Sequence, residues 1–293
     1  MNSLYFAQYL VNEDVISGRD AKELLKEAEK TTPGLAVVAL AEGAVSASTL
    51  AELMPFEKDA FSKLAVAEGL LFASQVEKLQ EARSTDGLKT AQALLDSGRM
   101  DFMELGRWMA ACGSTAESPF KESVRRIIEE QDEELAAERD IYADFTELFM
   151  RSLMRFMDTP AIVTECAPDG EEALFATHTV SQRLSGSVSF VSGLYASDKV
   201  FIEMAQRYSH ELIDEADEMA ADCVSEFLNV VNGLFMVDLG KRDYDLDLET
   251  PRVGKNTRLM GSRQLQLCVD TGFGSFTLVL ASDEVTHSEA HHY

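Results

Sequence analysis

Cysteine is scarce in this sequence, with 4 in 293 residues. Cys112, Cys166, Cys223 and Cys268 lie far apart, without a Cys-x-x-Cys pair or a histidine at zinc spacing. That excludes a disulfide-stapled secreted scaffold and leaves buried thiols in a reducing compartment as the expectation. Positive charge is scarce too. Lys and Arg number 26 against 51 Asp and Glu, a formal charge of −25. Such a surface repels phosphate backbones and anionic lipids, so neither nucleic acid nor a membrane surface is expected as the primary partner. No apolar run reaches the roughly 18 residues of a membrane span. The opening MNSLYFAQYLVNEDVISGRD has no basic stretch ahead of its apolar residues. No signal peptide is therefore expected, and the chain reads as cytoplasmic. Also missing are GxSxG, HExxH and GxxxxGK[ST], so classical hydrolases and phosphate-binding loops fit poorly.

What is present suffices for a core: 46% of residues are hydrophobic and 8% aromatic, which excludes wholesale disorder. The length corresponds to about two domains. Charge is unevenly spread, with 17 acidic and 11 basic residues over 1–113 and 34 and 15 over the remainder.

The first 113 residues repeat themselves. LVNEDVISGRDAKELL (10–25), ALAEGAVSASTLAELM (39–54), AVAEGLLFASQVEKLQ (65–80) and LLDSGRMDFMELGRWM (94–109) each read as apolar pair, polar turn and amphipathic run. The turn positions Asp14, Gly43, Gly69 and Gly98 lie 29, 26 and 29 apart, and Phe6 and Phe61 open two pairs 55 residues apart. Glycine suits the left-handed residue that ends a helix, and a Ser or Asp beyond it suits the next N-cap. Each unit is therefore expected to be helix–turn–helix, and the block an all-α tandem-repeat domain, either a bundle or a short solenoid. Helical repeats commonly bind proteins, so an unidentified protein partner is the expectation for this block.

STAESPFKESVRRIIEEQDEELAAERD (114–140) is charged and sparse in apolar residues, and 114–137 reads as a solvated helical linker running on into a helix over 141–157. From Thr159 the period becomes two. TPAIVTEC, ALFATHTV and SGSVSFVSGLYA read as strands bounded by Asp169-Gly170 and the Ser/Gly cluster at 185–187, and RQLQLCVD–TGFG–SFTLVLAS as a hairpin. SDKVFIEMAQRYSH reads as a helix capped by Ser197, followed by a long helix from about Leu212 to Val237. The sequence thus predicts an α+β domain over 138–284, a β-sheet with long helices packed on it. Residues 285–293, with His287, His291 and His292, read as a disordered tail rather than a metal site. His178 and His210 read as surface or packing residues.

The long helix carries the most informative pattern: Asp222, Glu226, Asn229 and Gly233. With Asn229 at zero, Asp222 falls at about 20°, Gly233 at about 40° and Glu226 at about 60°. Ile213, Ala216, Ala220, Phe227, Val231 and Leu234 gather on the opposite side as the expected buried stripe. Asn costs about 0.6 kcal/mol and Gly about 1 kcal/mol against Ala inside a helix, yet the apolar pattern runs through both. On these residues alone, a solvated helix face and a functional arc both stay open.

Asp-xxx-Glu-xx-Asn-xxx-Gly, with the Pro-containing turn Thr250-Pro251-Arg252-Val253-Gly254 and the closing hairpin, resembles the CheC/CheX/FliY family of chemotaxis phosphatases over roughly residues 141–284. The second copy that CheC-type members carry corresponds here to Asp144, Glu147, Met150 and Met154. The amide and the glycine are lacking, so the resemblance is to the single-site CheX type. It implies hydrolysis of the aspartyl phosphate of a CheY-type receiver. Asn229 would orient the attacking water and Glu226 would pair with the receiver's lysine. Gly233 would give clearance, and Asp222 would support the site. It also implies no cofactor of the chain's own, the Mg²⁺ being the receiver's. A homodimer through the C-terminal domain is implied as well, for which the strand residues Val188, Phe190 and Val191 offer apolar surface. The alternative from another class is a non-catalytic adaptor that binds a receiver through the same helix. A flagellar switch component fits less well, since those members carry a further β-rich domain.

Overall fold

The computed structural model of the chain describes residues 5–53, 60–81, 88–131, 133–166, 177–261, 263–283 and 285–289. It divides into two compact units, Met1–Pro119 and Phe120–Tyr293.

The first unit pairs its helices as the repeat dictates: α1 (Phe6–Asn12) with α2 (Gly18–Glu29), α3 (Leu35–Ala41) with α4 (Ala47–Leu53), α5 (Phe61–Ala67) with α6 (Ala73–Glu81), and α7 (Lys89–Asp96) with α8 (Phe102–Gly113). All four turn positions take left-handed backbone, at φ 55° for Asp14, 66° for Gly43, 70° for Gly69 and 68° for Gly98. The turns share one hydrogen bond, from Val15, Ala44, Leu70 and Arg99 N–H to the carbonyls of Leu10, Ala39, Ala65 and Leu94, at 2.8–3.0 Å. This is the helix-ending bond that the left-handed residue makes possible. Three residues past each turn an N-cap follows. Ser17 accepts from Asp20 N–H, Ser46 from Thr49 N–H, and Asp101 forms a full capping box with Glu104. In the third unit Phe72 holds that place, and Gln75 reaches back to its N–H at 2.8 Å. The unit closes on itself as a bundle, since α2 packs against α7 and α1 against α8. Arg99 pairs with Glu27 at 2.6 Å across the closure. Helices α4 and α8 approach so closely that a Cβ on Gly106 would lie 2.5 Å from that of Ala47.

The second unit opens with α9 (Pro119–Gln131) and continues through α10 (Arg139–Met157). The expected solvated linker is corrected here. Phe120, Val124, Ile127, Ile128 and Leu135 are all buried, so α9 is part of the core. A short 3₁₀ turn at Glu133–Leu135 separates α9 from α10. Lys121 fixes the pair, at 2.6 Å from Asp144 and 3.2 Å from Glu147 on α10, while Arg242 holds Asp144 at 2.6 Å from the other side.

Seven antiparallel strands form one sheet: β1 (Ala161–Glu165), β2 (His178–Gly186), β3 (Phe190–Ala196), β4 (Leu246–Leu248), β5 (Arg252–Lys255), β7 (Gln264–Thr271) and β8 (Ser275–Ala281). The order is β1-β7-β8-β3-β2-β4, with β5 also on β2. Of the strand bounded by Asp169-Gly170, only the end from His178 onward lies within the described residues. One face of the sheet receives α10, α11 (Asp198–Ser209) and α12 (Glu218–Gly240). Phe145, Phe149, Phe190, Phe227 and Phe235 meet between them with ring centroids 4.9–6.1 Å apart. Phe190 and Val191 are buried, so these two residues are consumed inside the unit rather than left for a dimer. On the other face a two-stranded ribbon, β6 (Thr257–Met260) with β9 (Thr286–Glu289), seats Leu259 against Tyr195 and Val279. That corrects the expected disordered tail. Residues 286–289 are a strand, and His287 shares a 2.9 Å hydrogen bond with Ser181 of β2. His291 and His292 lie outside the described residues.

His178 is a packing residue, stacked on Phe201 at 4.5 Å and bonded to Asp198 at 2.8 Å. His210 is exposed and ends α11 in the left-handed region. All four cysteines are free. Cys112 and Cys268 are buried, and Cys166 and Cys223 half-buried, which qualifies the expectation of buried thiols.

Two outcomes follow from this packing. Gly106→Ala gains helix propensity worth about 1 kcal/mol, but it forces two backbones apart. Urea unfolding of the full chain should therefore show a net loss of about 1–2 kcal/mol. A gain would show that α4 and α8 do not meet as described. The second outcome concerns Asp144. Burial alone raises its carboxyl, and the bonds from Lys121 and Arg242 more than reverse this, leaving it below the ordinary 3.8. A depressed folded-state pKa contributes stability that is fully present above the unfolded value and is lost as pH falls through the folded one. Asp144→Asn should therefore cost about 1–3 kcal/mol at neutral pH. It should also flatten the decline in stability below about pH 4. A parallel downward shift at every pH would refute the linkage.

Candidate functional site

Helix α12 begins later than its periodicity suggests. Asp217 caps it by accepting from Ala220 N–H at 3.1 Å, and Leu212–Asp217 are not helical. The buried stripe is Ala220, Val224, Phe227, Leu228, Val231, Asn232, Phe235 and Leu239. This turns the helix about 60° from the expected orientation. Leu234, expected inside, is 39% exposed. Asn229, expected on the open side, is half-buried at the margin of the stripe. By length and composition, α12 is the one helix among the described residues able to cross a membrane. Its apolar stripe is instead spent on the sheet and on α10.

Asp222, Glu226, Asn229 and Gly233 are brought onto one side of α12, with Asp222 and Glu226 exposed and Gly233 half-buried. Facing them is the turn between β4 and β5. These two strands pair with the same edge of β2, β4 with residues 184–186 and β5 with residues 178–181. Between them Glu249–Pro251 arches over Gln182. Helix and arch enclose an open cleft of about 550 Å³, lined by Asp222, Ser225, Glu226 and Asn229 on one side and by Leu248–Pro251 and Val253 on the other.

Beneath the cleft runs a relay of amides. The Glu249 carbonyl can only accept, so the Gln182 atom 2.7 Å away is Nε2. The same group donates to Asn229 at 2.8 Å, which makes the facing atom Oδ1. Gln182 Oε1 accepts from Asn232 Nδ2 at 2.8 Å, and Asn232 Oδ1 accepts from the Ser192 hydroxyl at 2.9 Å. Gln182, Asn232 and Ser192 are all buried. One backbone carbonyl therefore sets the orientation of three side-chain amides. Asn229 Nδ2 is left facing outward, donating to Glu226 Oε2 at 3.3 Å. A donor amide and a carboxylate stand side by side at the mouth of the cleft.

Gln182 and Asn232 are the residues that the sequence analysis missed. The signal was present. Val180, Gln182 and Leu184 are the inward positions of β2, and Gln182 is the polar one among them.

The other motif-like face, on α10, is a different structure. Asp144 and Glu147 are held by Lys121, and Met150 is fully buried where an amide would stand.

Gly233 has nothing within 4 Å of a Cβ built on it. Gly233→Ala should therefore stabilise the chain by about 0.5–1 kcal/mol through helix propensity alone. Thermal and urea unfolding should agree on the gain. A loss would mean that α12 packs more tightly at this position than described.

Residues 178–269 match the family described as chemotaxis phosphatase CheX, a narrower span than the resemblance read over 141–284. No curated protein matches the sequence. Solved structures that the chain is similar to include the chemotaxis protein CheX from Vibrio vulnificus, at 16% identity and a TM-score of 0.40, covering 47% of this chain and 95% of that one. Another is the CheX–CheY–BeF3–Mg²⁺ complex from Borrelia burgdorferi, at 17% identity and 0.40, covering 48% and 96%. A third is a CheC-like superfamily protein from Shewanella sp. PV-4, at 17% identity and 0.41, covering 48% and 98%. Over residues 178–269, the stretch that holds Asp222, Glu226, Asn229 and Gly233, the second unit is thus similar to the chemotaxis phosphatase CheX family.

Proposed function

We propose that the second unit hydrolyses the aspartyl phosphate of a CheY-type receiver domain. The observation that carries this reading is the pairing of Glu226 and Asn229 at the mouth of the cleft, within the stretch that matches the chemotaxis phosphatase family. Exposed Met219, Leu234 and Val237 on α12, with Val253 opposite, give the polar pair an apolar border, as a protein partner requires.

In this reading the receiver supplies the phosphoryl group, its Mg²⁺ and a lysine. Glu226 pairs with that lysine, so its charge is neutralised instead of repelling the phosphoryl oxygens. Asn229 holds a water in line with phosphorus. The water oxygen bonds to phosphorus as the bond to the aspartyl oxygen breaks. The electron pair of the broken bond returns to the receiver's carboxylate, and both of the water's protons leave with the inorganic phosphate, as dihydrogen phosphate. A loose transition state of this kind needs placement more than a strong base, which suits an amide. Asp222 stands one turn before Glu226 and supports the acidic end of the site. Gly233 leaves room for the partner's backbone.

The test is phosphate release from a panel of CheY-type receivers charged with a small phosphodonor in Mg²⁺. The wild-type chain should accelerate release from at least one. Asn229→Ala should cost that activity about a hundredfold or more while changing stability by no more than about 1 kcal/mol, because Gln182 keeps its bond to Glu249. Glu226→Ala should chiefly weaken binding, and Glu226→Lys should do so more strongly by setting like charges together. Asp222→Ala should be milder than either. Binding of a receiver without phosphate release by the wild-type chain would replace this reading with the adaptor.

A further inference from the structure

The relay beneath the cleft lies outside the motif on α12. Gln182 is on β2, 47 residues before Asn229 in sequence, yet its Nε2 donates to Asn229 Oδ1 and so sets from below which end of the amide turns inward. Its own orientation is not adjustable. Nε2 is held by the Glu249 carbonyl and Oε1 by Asn232, and rotating the Gln182 amide by half a turn would set oxygen against the Glu249 oxygen and NH₂ against the Asn232 NH₂. The constraint passes to Asn229. With Oδ1 turned inward, the group presented to the cleft is Nδ2, with one N–H on Glu226 and a second left to donate to a ligand. Burial makes the setting firm, because Gln182 is 2% exposed and Asn232 and Ser192 are fully buried. Water does not compete for the bonds among Gln182, Asn232 and Ser192, and each partner lost there would leave an unsatisfied polar group in the interior.

We infer that Gln182 is a positioning residue for Asn229, acting through its bond to Oδ1 so that Asn229 enters the site as a hydrogen-bond donor in a single orientation. This rests on the reading of Asn229 as the group that places the water. It adds the residue that aims it and the end of the amide that does the work. Glu249 takes part only through its backbone carbonyl, so its side chain is not a component of the relay.

The experiment is a double-mutant cycle on the full chain with Gln182→Met and Asn229→Ala, using the receiver that the wild-type chain dephosphorylates. Met keeps the length of Gln and removes both of its hydrogen-bonding ends. Gln182→Met should lower kcat by about tenfold to a hundredfold, the cost of a misplaced reacting group. The affinity for the receiver bearing beryllofluoride should change less than about twofold, since no contact surface is altered. In the Asn229→Ala background the same substitution should have little further effect on kcat. An equal fall in both backgrounds, or a loss of affinity that accounts for the loss of activity, would overturn the inference and make Gln182 merely structural.

A second measurement does not depend on activity, and its wild-type arm does not depend on the variant folding. In the wild-type chain, ¹⁵N relaxation of side-chain NH₂ groups should show Asn229 as ordered as Gln182 and Asn232. In Gln182→Met, Asn229 should become mobile on the ps–ns timescale, more so than Asn232, which loses the same partner but stays buried and bonded to Ser192. An Asn229 amide that is mobile in the wild-type chain would sink the positioning role even if the phosphatase reading holds. If no receiver is dephosphorylated while Asn229 is ordered and loses its order in Gln182→Met, the phosphatase reading fails and the fixed amide stands.

Discussion

Everything at the site depends on how α12 lies on β2. The helix buries one stripe, and the stripe's edges decide what faces the cleft. Phe227 and Phe235 anchor it against Phe149, Phe145 and Phe190. A helix turned by one more residue would carry Asn229 wholly into the interior or wholly into water. Held as it is, Asn229 sits on the boundary, where one end of the amide is gripped by buried partners and the other remains open. A boundary position gives a side chain both a fixed orientation and access to a ligand, which neither a core residue nor a freely solvated one has.

The sheet contributes the other half of that boundary. An unbroken strand along the edge of β2 would have covered Gln182 with a regular ladder. Instead β4 ends at Leu248 and β5 begins at Arg252, and the arch between them turns a backbone carbonyl toward the Gln182 side chain. The same interruption opens the cleft. The Pro251 turn therefore has two effects with one cause: it ends the pairing that would close the site, and it supplies the acceptor from which the amide orientations follow.

The repeat of the first unit was fully legible because its signals are local. A left-handed residue is written in each short turn and an N-cap side chain three positions later in three of the four, and the structure realises the turns at Asp14, Gly43, Gly69 and Gly98. The four motif residues of α12 were legible for the same reason, sharing one helix. What the sequence did not disclose is long-range. The charged run over 114–137 reads as solvated by composition, yet Val124, Ile127 and Ile128 fall on one side of α9 and are buried, with Lys121 tied to α10. The residues at 286–289 look frayed because strand pairing with Thr257–Met260 leaves no local trace. The rotation of α12 was misjudged by treating every apolar residue as inward. Leu234 is large and apolar but lies on the open side, while the polar Asn232 is inside.

That inversion is informative about what the interior is for. Asn232 and Gln182 occupy positions that Leu or Met would fill with greater burial of apolar surface, and a satisfied buried hydrogen bond is worth only about 1 kcal/mol net. Stability alone gives little reason to build Ser192, Asn232, Gln182 and Asn229 into a chain of bonds through an otherwise aromatic core. Fully satisfied, such a network adds uniqueness of orientation rather than depth of the energy well. The two faces of the unit show the contrast. On α10 the acids Asp144 and Glu147 are paired with Lys121, Asp144 with Arg242 as well, and Met150 is packed away, so that face is spent on holding the fold together. On α12 the acid remains exposed, the amide is aimed from below, and local helix propensity is sacrificed at Asn229 and Gly233. The departures from the most stable choice lie together, on one arc of α12 and in the buried amides beneath it.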